Sequence, residues 1–168
     1  MALTLVSEAG SASANSYCSL ASCLPILEEN IHIYATFASL STANAESCLI
    51  YATSLLDSEI SWIGIRGSTT QKLRWPRIDA VDPDGNNIDS TTIPDAIQRA
   101  TSFYAYFLSQ SDRSAESDTY GFKQLEAGSL NMVIDKYDRK PVMPSIVWNL
   151  LKFYGNKMTS ATRVLERR

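Results

Sequence analysis

The chain has a single histidine, three cysteines and fewer cations than anions. Each shortage removes a class of function. His32, within "NIHIYA", has no G-x-S-x-G or comparable nucleophile to serve, so triad chemistry lacks its first member. It reads as a satisfied or surface histidine. Glu28 and Glu29 are adjacent, about 100° apart on a helix, which makes them a solvated helix end and not an acid/base pair. Cys18, Cys23 and Cys48 are odd in number and contain no CxxC pair, so they read as buried reduced thiols of an intracellular product. Fifteen Lys and Arg against 18 Asp and Glu give a net charge of −3. Phosphate neutralisation supplies most nucleic-acid affinity, so binding by the whole surface is disfavoured and only a local patch stays open. "MALTLVSEAG" has no cationic leader and meets Glu8 early, and no run approaches the roughly 18 to 20 apolar residues of a membrane span. The expectation is a protein without catalysis, cofactor, metal or membrane.

What is present suits one folded domain: 168 residues, 45% of them hydrophobic. Leu3 and Leu5 alternate as a short strand would. A helix is expected over 16–24, stopped or kinked at Pro25, with a second short helix in "ILEENIHIYATFASL". Ala45, Cys48, Leu49, Ala52, Leu55 and Leu56 share one face of a helix over 44–57, with Ser41, Thr42 and Asn44 as N-cap candidates. Thr92 and Asp95 stand at capping-box spacing before a long apolar stripe from Ile93 to Leu108, with Gln98, Arg99, Ser102 and Gln110 on the polar face. Residues 109–118 read as an exposed loop. Residues 120–137 alternate around Ala127-Gly128 as a hairpin does. Pro144 opens a last helix with a stripe of Ile146, Val147, Leu150, Leu151 and Tyr154, and Gly155 is its expected stop. The fold class is mainly α (α+β): a small helical bundle over 1–155 with one β-hairpin and a long extended loop, followed by a flexible tail over 156–168.

Chemistry, if any, concentrates in "WIGIRGSTTQKLRWPRIDAVDPDGNNID", residues 62–89. Lys72 falls too far from Gly67 for a phosphate loop, and Trp75-Pro76 blocks the helix that must follow. Gly64-Ile65-Arg66-Gly67 matches the GXXG of a nucleotide-clamping loop, but "STTQKLRWPR" does not start like the required helix. Placing Gly85 at the sixth position of a calcium loop puts Ala80 and Thr91 where carboxylates belong, so an Asp-Gly turn is the better reading. Residues 62–77 carry Arg66, Lys72, Arg74 and Arg77 with no acid, and 78–89 carry Asp79, Asp82, Asp84 and Asp89 with no base. The two runs are expected to neutralise each other across the turn. Trp62 and Trp75 are expected to anchor the loop to the core, with base stacking as the alternative.

The order of "NSY", "ATSLLDS", "WIGIRGSTTQKLRWPR", "DPDG" and "IPDAIQRA" resembles a family of tailed-bacteriophage head–tail connector or adaptor (neck) proteins, many labelled DnaT-like single-stranded DNA-binding. The resemblance covers about residues 15–155. It implies a helical bundle with a hairpin, assembling as a ring of twelve copies beneath the portal protein. A tail-completion protein, tail terminator or second neck protein is the partner on the other side. DNA passes through the lumen without sequence-specific binding. The place of action is the virion, after synthesis in the host cytoplasm. On this reading Trp62, Arg66, Arg74, Trp75 and Arg77 form a subunit or partner interface. Lys157, Arg163, Val164, Leu165, Arg167 and Arg168 form a portal-docking tail. The alternative is a single-stranded DNA-binding protein using Trp62, Arg66, Arg74 and Trp75.

Overall fold

The computed structural model describes residues 3–115, 124–127, 130–133 and 141–158. Among them are five helices and three two-stranded antiparallel pairs, so the mainly helical expectation holds. No described helix is long and apolar enough to cross a membrane.

The chain enters without the strand expected at Leu3 and Leu5. Asn15 closes this segment instead: its Oδ1 accepts from Val6 N at 2.7 Å and its Nδ2 donates to the Thr4 carbonyl at 2.8 Å. Helix α1 (Leu20–Glu28) starts later than expected because Ser19 is the N-cap, accepting from Ser22 N. It also runs through Pro25 instead of stopping there. A proline forfeits one bond to the carbonyl four residues back, and both Ala21 and Pro25 are exposed, so water can serve that carbonyl. Helix α2 (Tyr34–Ala38) is the short second helix, docked by buried Phe37.

Helix α3 (Thr42–Glu59) follows the apolar periodicity closely. Ser41 caps it, and Ala45, Leu49, Ala52 and Leu56 are buried. Strand β1 (Ile60–Trp62) continues from its end, and the residues after it form a ribbon of β2 (Ile65–Arg66) and β3 (Arg77–Ile78). Asp82 builds the expected Asp-Gly turn, its Oδ1 accepting from Asp84 N and Asn86 N, with a Val81–Asn87 bridge at its base.

Helix α4 (Asp95–Gln110) is the centre of the bundle, packed against α1, α3 and the last helix. Contact on several sides explains why Ser102, placed by sequence on a polar face, is buried along with Thr101. Their hydroxyls are satisfied by the carbonyls one turn back, Ser102 on Gln98 at 2.9 Å and Thr101 on Ile97 at 2.8 Å. The capping box is not made. Pro94 is the N-cap without a side-chain bond, and Thr92 Oγ1 donates to the Asp89 carbonyl instead.

Strands β4 (Gln124–Ala127) and β5 (Leu130–Val133) pair from Ala127–Leu130 to Gln124–Val133, as the hairpin reading requires. Helix α5 (Ser145–Leu151) buries Val147 and Leu151, while Ile146, counted in its stripe, is exposed. Gly155 is not its stop. It opens strand β6 (Gly155–Lys157), which pairs with β1 in the register Trp62–Gly155, Ser61–Asn156 and Ile60–Lys157. A Cβ at Gly155 would lie 2.6 Å from both Ile60 Cγ2 and the Ser61 carbonyl oxygen. Only glycine lets the two strands approach this closely. Lys157 is therefore a strand residue of the domain and not part of a separate tail, so the boundary expected at 155 falls inside a sheet.

Candidate nucleic-acid interface

Sequence placed the site in 62–77, and the structure makes that segment a scaffold. Trp62 is 6% and Trp75 1% exposed. Their rings meet edge to face at 6.0 Å within a series from Tyr17 through Trp62 and Trp75 to Tyr154. The anchoring expectation holds. Neither ring is available to stack on a base or to face a partner, which corrects their place in an interface.

Asp57, at the end of α3, ties this aromatic series to the loop. It accepts from the Tyr17 hydroxyl, from Trp62 Nε1 at 3.0 Å and from Arg74 N at 3.2 Å. Burial pushes its carboxyl up from the ordinary value, while these donors and the Arg74 charge pull it back. Arg77 is held by carbonyls of the loop it closes, those of Trp62, Ile63, Gly64 and Arg74. Arg74 Nη1 donates to the Ile60 carbonyl at 3.3 Å. Gln71 is a buried amide that sequence reasoning missed, donating to the Leu73 and Pro76 carbonyls at 2.9 and 3.0 Å. Three of the four cations thus donate to backbone oxygens, Arg66 by a long contact of 3.4 Å to the Lys72 carbonyl.

The neutralisation expected across the turn does not occur. Among the described residues the ion pair formed is Arg99 with Glu29, and none joins Arg66, Lys72, Arg74 or Arg77 to Asp79, Asp82, Asp84 or Asp89. The aspartates have local work instead: Asp82 holds its own turn and Asp89 accepts from Thr91 N and Oγ1. Short-range backbone bonds are formed by the turn itself, whereas an exposed ion pair contributes only about 0–1 kcal/mol.

The Tyr17 phenol is pushed well above its ordinary value, chiefly by burial and then by the Asp57 charge. The folded state therefore keeps a proton that the unfolded chain releases near pH 10. Stability from this group is complete below that pH and declines as pH rises further. Denaturant titrations above pH 10 should show Tyr17→Phe losing stability less steeply than the parent, by about 1.4 kcal/mol per pH unit. Equal slopes would contradict this.

A second surface carries exposed aromatics and cations together. Helix α5 carries Trp148, Lys152 is its C-cap and Phe153 follows, while β6 brings Lys157 beside Trp148. Lys157 Nζ sits 5.0 Å from the centre of the half-buried Trp148 ring, and Lys152 Nζ sits 5.0 Å from the Phe153 ring. Trp148 and Lys152 are one helical turn apart, linked by the Lys152 N–H to the Trp148 carbonyl at 2.9 Å. Phe153 is 54% exposed. The result is two cation–ring pairs, Lys157 with Trp148 and Lys152 with Phe153, joined through one turn of backbone. Behind it, Glu59 is held by the Tyr104 hydroxyl at 3.4 Å, and burial pushes its carboxyl up. Sequence reasoning missed this row because it assigned Lys157 to a tail. The signal available was "WNLLKFYGNK" itself, in which aromatics and lysines interleave.

The remaining tail candidates, Arg163, Val164, Leu165, Arg167 and Arg168, lie outside the described residues. Among the described residues no group of three or more His, Cys, Asp or Glu could hold a metal ion. The three cysteines are free thiols, with Cys18 and Cys23 buried.

No protein of curated function and no solved structure matches the chain. One family model does, across residues 1–168, and its description is "Putative DnaT-like ssDNA binding protein". With the whole length matched, the chain belongs to this DnaT-like family.

Proposed function

We propose that this protein is a non-enzymatic binder of single-stranded DNA and that the Trp148–Lys157 row is its contact. The observation that carries the reading is the pairing of two lysine ammoniums with two aromatic rings, Phe153 exposed and Trp148 half-buried, within ten residues of chain. Bases offer π-faces of any sequence to such rings, and the intervening cations meet the backbone phosphates. The description of the family supports the same ligand class. The net charge of −3 keeps contact local, since the rest of the surface does not attract a polyanion.

Fluorescence anisotropy with an oligodeoxythymidine tests this. Wild-type protein should bind with an affinity that falls as salt rises. Replacing both Lys152 and Lys157 by alanine should flatten the slope of log affinity against log salt by about 1.4, at about 0.7 per cation on a single strand. Phe153→Ala should weaken binding roughly 5- to 150-fold, the value of about 1–3 kcal/mol for one stacked base. Phe153 is exposed, so this variant should melt like the parent. Unchanged affinity in a folded Phe153→Ala protein would sink the proposal.

The head–tail adaptor is the second reading, with the portal protein and a tail-completion or neck protein as partners and DNA passing through a ring. One observation favours an assembly protein: Ile65 and Ile78, cross-strand partners on the β2–β3 ribbon, are 65% and 42% exposed. Immunogold electron microscopy decides it, with label expected at the neck of virions. Label absent from intact virions would remove this reading while leaving the first untouched.

A further inference from the structure

Cys18 and Cys23 take no part in the DNA contact or in the loop that Asp57 holds, yet the fold brings them together. Ser19 is the N-cap of α1, so Cys18 stands just before the cap and Cys23 at the fourth position of the helix. Side chains at those two positions pack on each other at a helix start, where an apolar pair normally sits. Here the pair is two buried thiols in side-chain contact. Ser102 of α4 meets both sulfurs, with its Oγ 3.6 Å from Cys18 Sγ. The Ser102 hydroxyl has one proton and gives it to the Gln98 carbonyl at 2.9 Å, so Cys18 is the donor in that contact. The Cys18 S–H thus has two acceptors, Ser102 Oγ and Cys23 Sγ. Donation from Cys18 holds the Cys23 sulfur below the ordinary thiol range, while that same bond and burial push Cys18 up. The two sulfurs are therefore unequal: one is readied as thiolate and the other keeps its proton.

We propose that Cys18 and Cys23 form a peroxide-responsive dithiol, with Cys23 the attacking sulfur and Cys18 the resolving one. The Cys23 thiolate bonds to one oxygen of hydrogen peroxide and the O–O bond breaks. The other oxygen leaves as water, taking the proton that Cys23 gave up, and Cys23 becomes a sulfenic acid. The Cys18 sulfur then displaces the hydroxyl, the Cys18 proton departs with it as a second water, and a disulfide remains. Two thiols are oxidised and one peroxide is reduced. A resolving thiol already in contact catches the sulfenic acid before it advances to irreversible sulfinic acid. Access comes by local opening of the first turn of α1. Its Ala21 and Ser22 are exposed, and Pro25 offers no N–H to the Ala21 carbonyl, so this turn has one bond fewer to break. Cys48, half-buried on α3, has no such arrangement, and burial pushes its thiol up.

The test uses the full chain carrying Cys48→Ser, so that two thiols remain. Hydrogen peroxide is added to the folded protein, which is then unfolded in N-ethylmaleimide, and the intact mass is read. Maleimide uptake should fall from two per chain to none, the mass should drop by two hydrogen atoms, and dithiothreitol should restore both thiols. Adding Cys18→Ser should abolish the disulfide and leave a sulfenic acid that dimedone traps at Cys23. Adding Cys23→Ser instead should leave the Cys18 thiol unreacted over the same time. Circular dichroism should show all three proteins folded, since serine is no larger than cysteine. Two maleimides still taken up after peroxide would overturn the proposal. So would sulfinic or sulfonic acid in place of the disulfide, or dimedone trapped at Cys18 and not at Cys23.

Discussion

Asp57→Ala is expected to lower the unfolding free energy by about 3–5 kcal/mol, a large part of the roughly 5–15 kcal/mol that holds a domain together. Its carboxylate is the common acceptor for Tyr17, Trp62 Nε1 and the Arg74 backbone N–H. Alanine leaves three donors without an acceptor, and each orphaned buried donor costs about 1–3 kcal/mol. The site is only partly buried, so water recovers some of this and the sum falls toward the lower end. The mechanism predicts where the damage appears. Trp62 and Trp75 should gain exposure, because Asp57 is what fixes the loop that carries them. Urea unfolding followed by tryptophan fluorescence measures both effects. Asp57→Asn should be milder: it retains an acceptor oxygen but turns an amide N–H₂ toward one of the three donors. A loss below about 1 kcal/mol in Asp57→Ala would show that the carboxylate is not the hub described.

The same residue shows what sequence can and cannot convey. Helix α3 was legible because its buried face repeats every three to four residues and Ser41 caps it, both local properties. The hairpin of β4 and β5 was legible for the same reason. That Asp57 would meet Tyr17 was not, since 40 residues separate them and nothing in the spacing of either marks the other. The stop expected at Pro25 does not occur, because the Ala21 carbonyl that loses its N–H donor there faces solvent and can accept from water. Gly155 was misread because a helix stop and a close strand approach ask for the same residue. The strand was decided by β1, more than 90 residues earlier. The candidate DNA surface shared this obstacle. Trp148, Lys152 and Phe153 are neighbours in sequence, but Lys157 joins them only when β6 pairs with β1. The opposed charges of 62–77 and 78–89 were visible, and cancellation within one chain was the wrong inference from them. Local turn bonds and carbonyl contacts claimed Asp82, Asp89 and Arg77 first.

Gly64→Ala is expected to cost about 2–5 kcal/mol and to remodel the ribbon. Gly64 has φ +72°, a left-handed conformation that costs a residue with a Cβ roughly 1–2 kcal/mol. A Cβ there would also stand 2.4 Å from the Ile78 carbonyl oxygen and 3.1 Å from Ala80 N. Both obstacles are backbone, so no side chain can swing aside, and overpacking of this kind adds about 1–3 kcal/mol. Relief requires β3 to move away from Gly64. That motion would draw the Gly64 carbonyl from Arg77 and break the Ile65–Ile78 register. The two parts of the molecule should then respond differently. Hydrogen exchange should quicken in 64–79 while α3 and α4 stay protected, because local opening here does not unpack the bundle. DNA binding through Phe153 should persist. If Gly64→Ala melts with the parent and keeps its exchange pattern, the tight approach of Gly64 to β3 is not what shapes the loop. If it loses DNA binding while still folded, the ribbon and not the α5–β6 surface is where the strand binds.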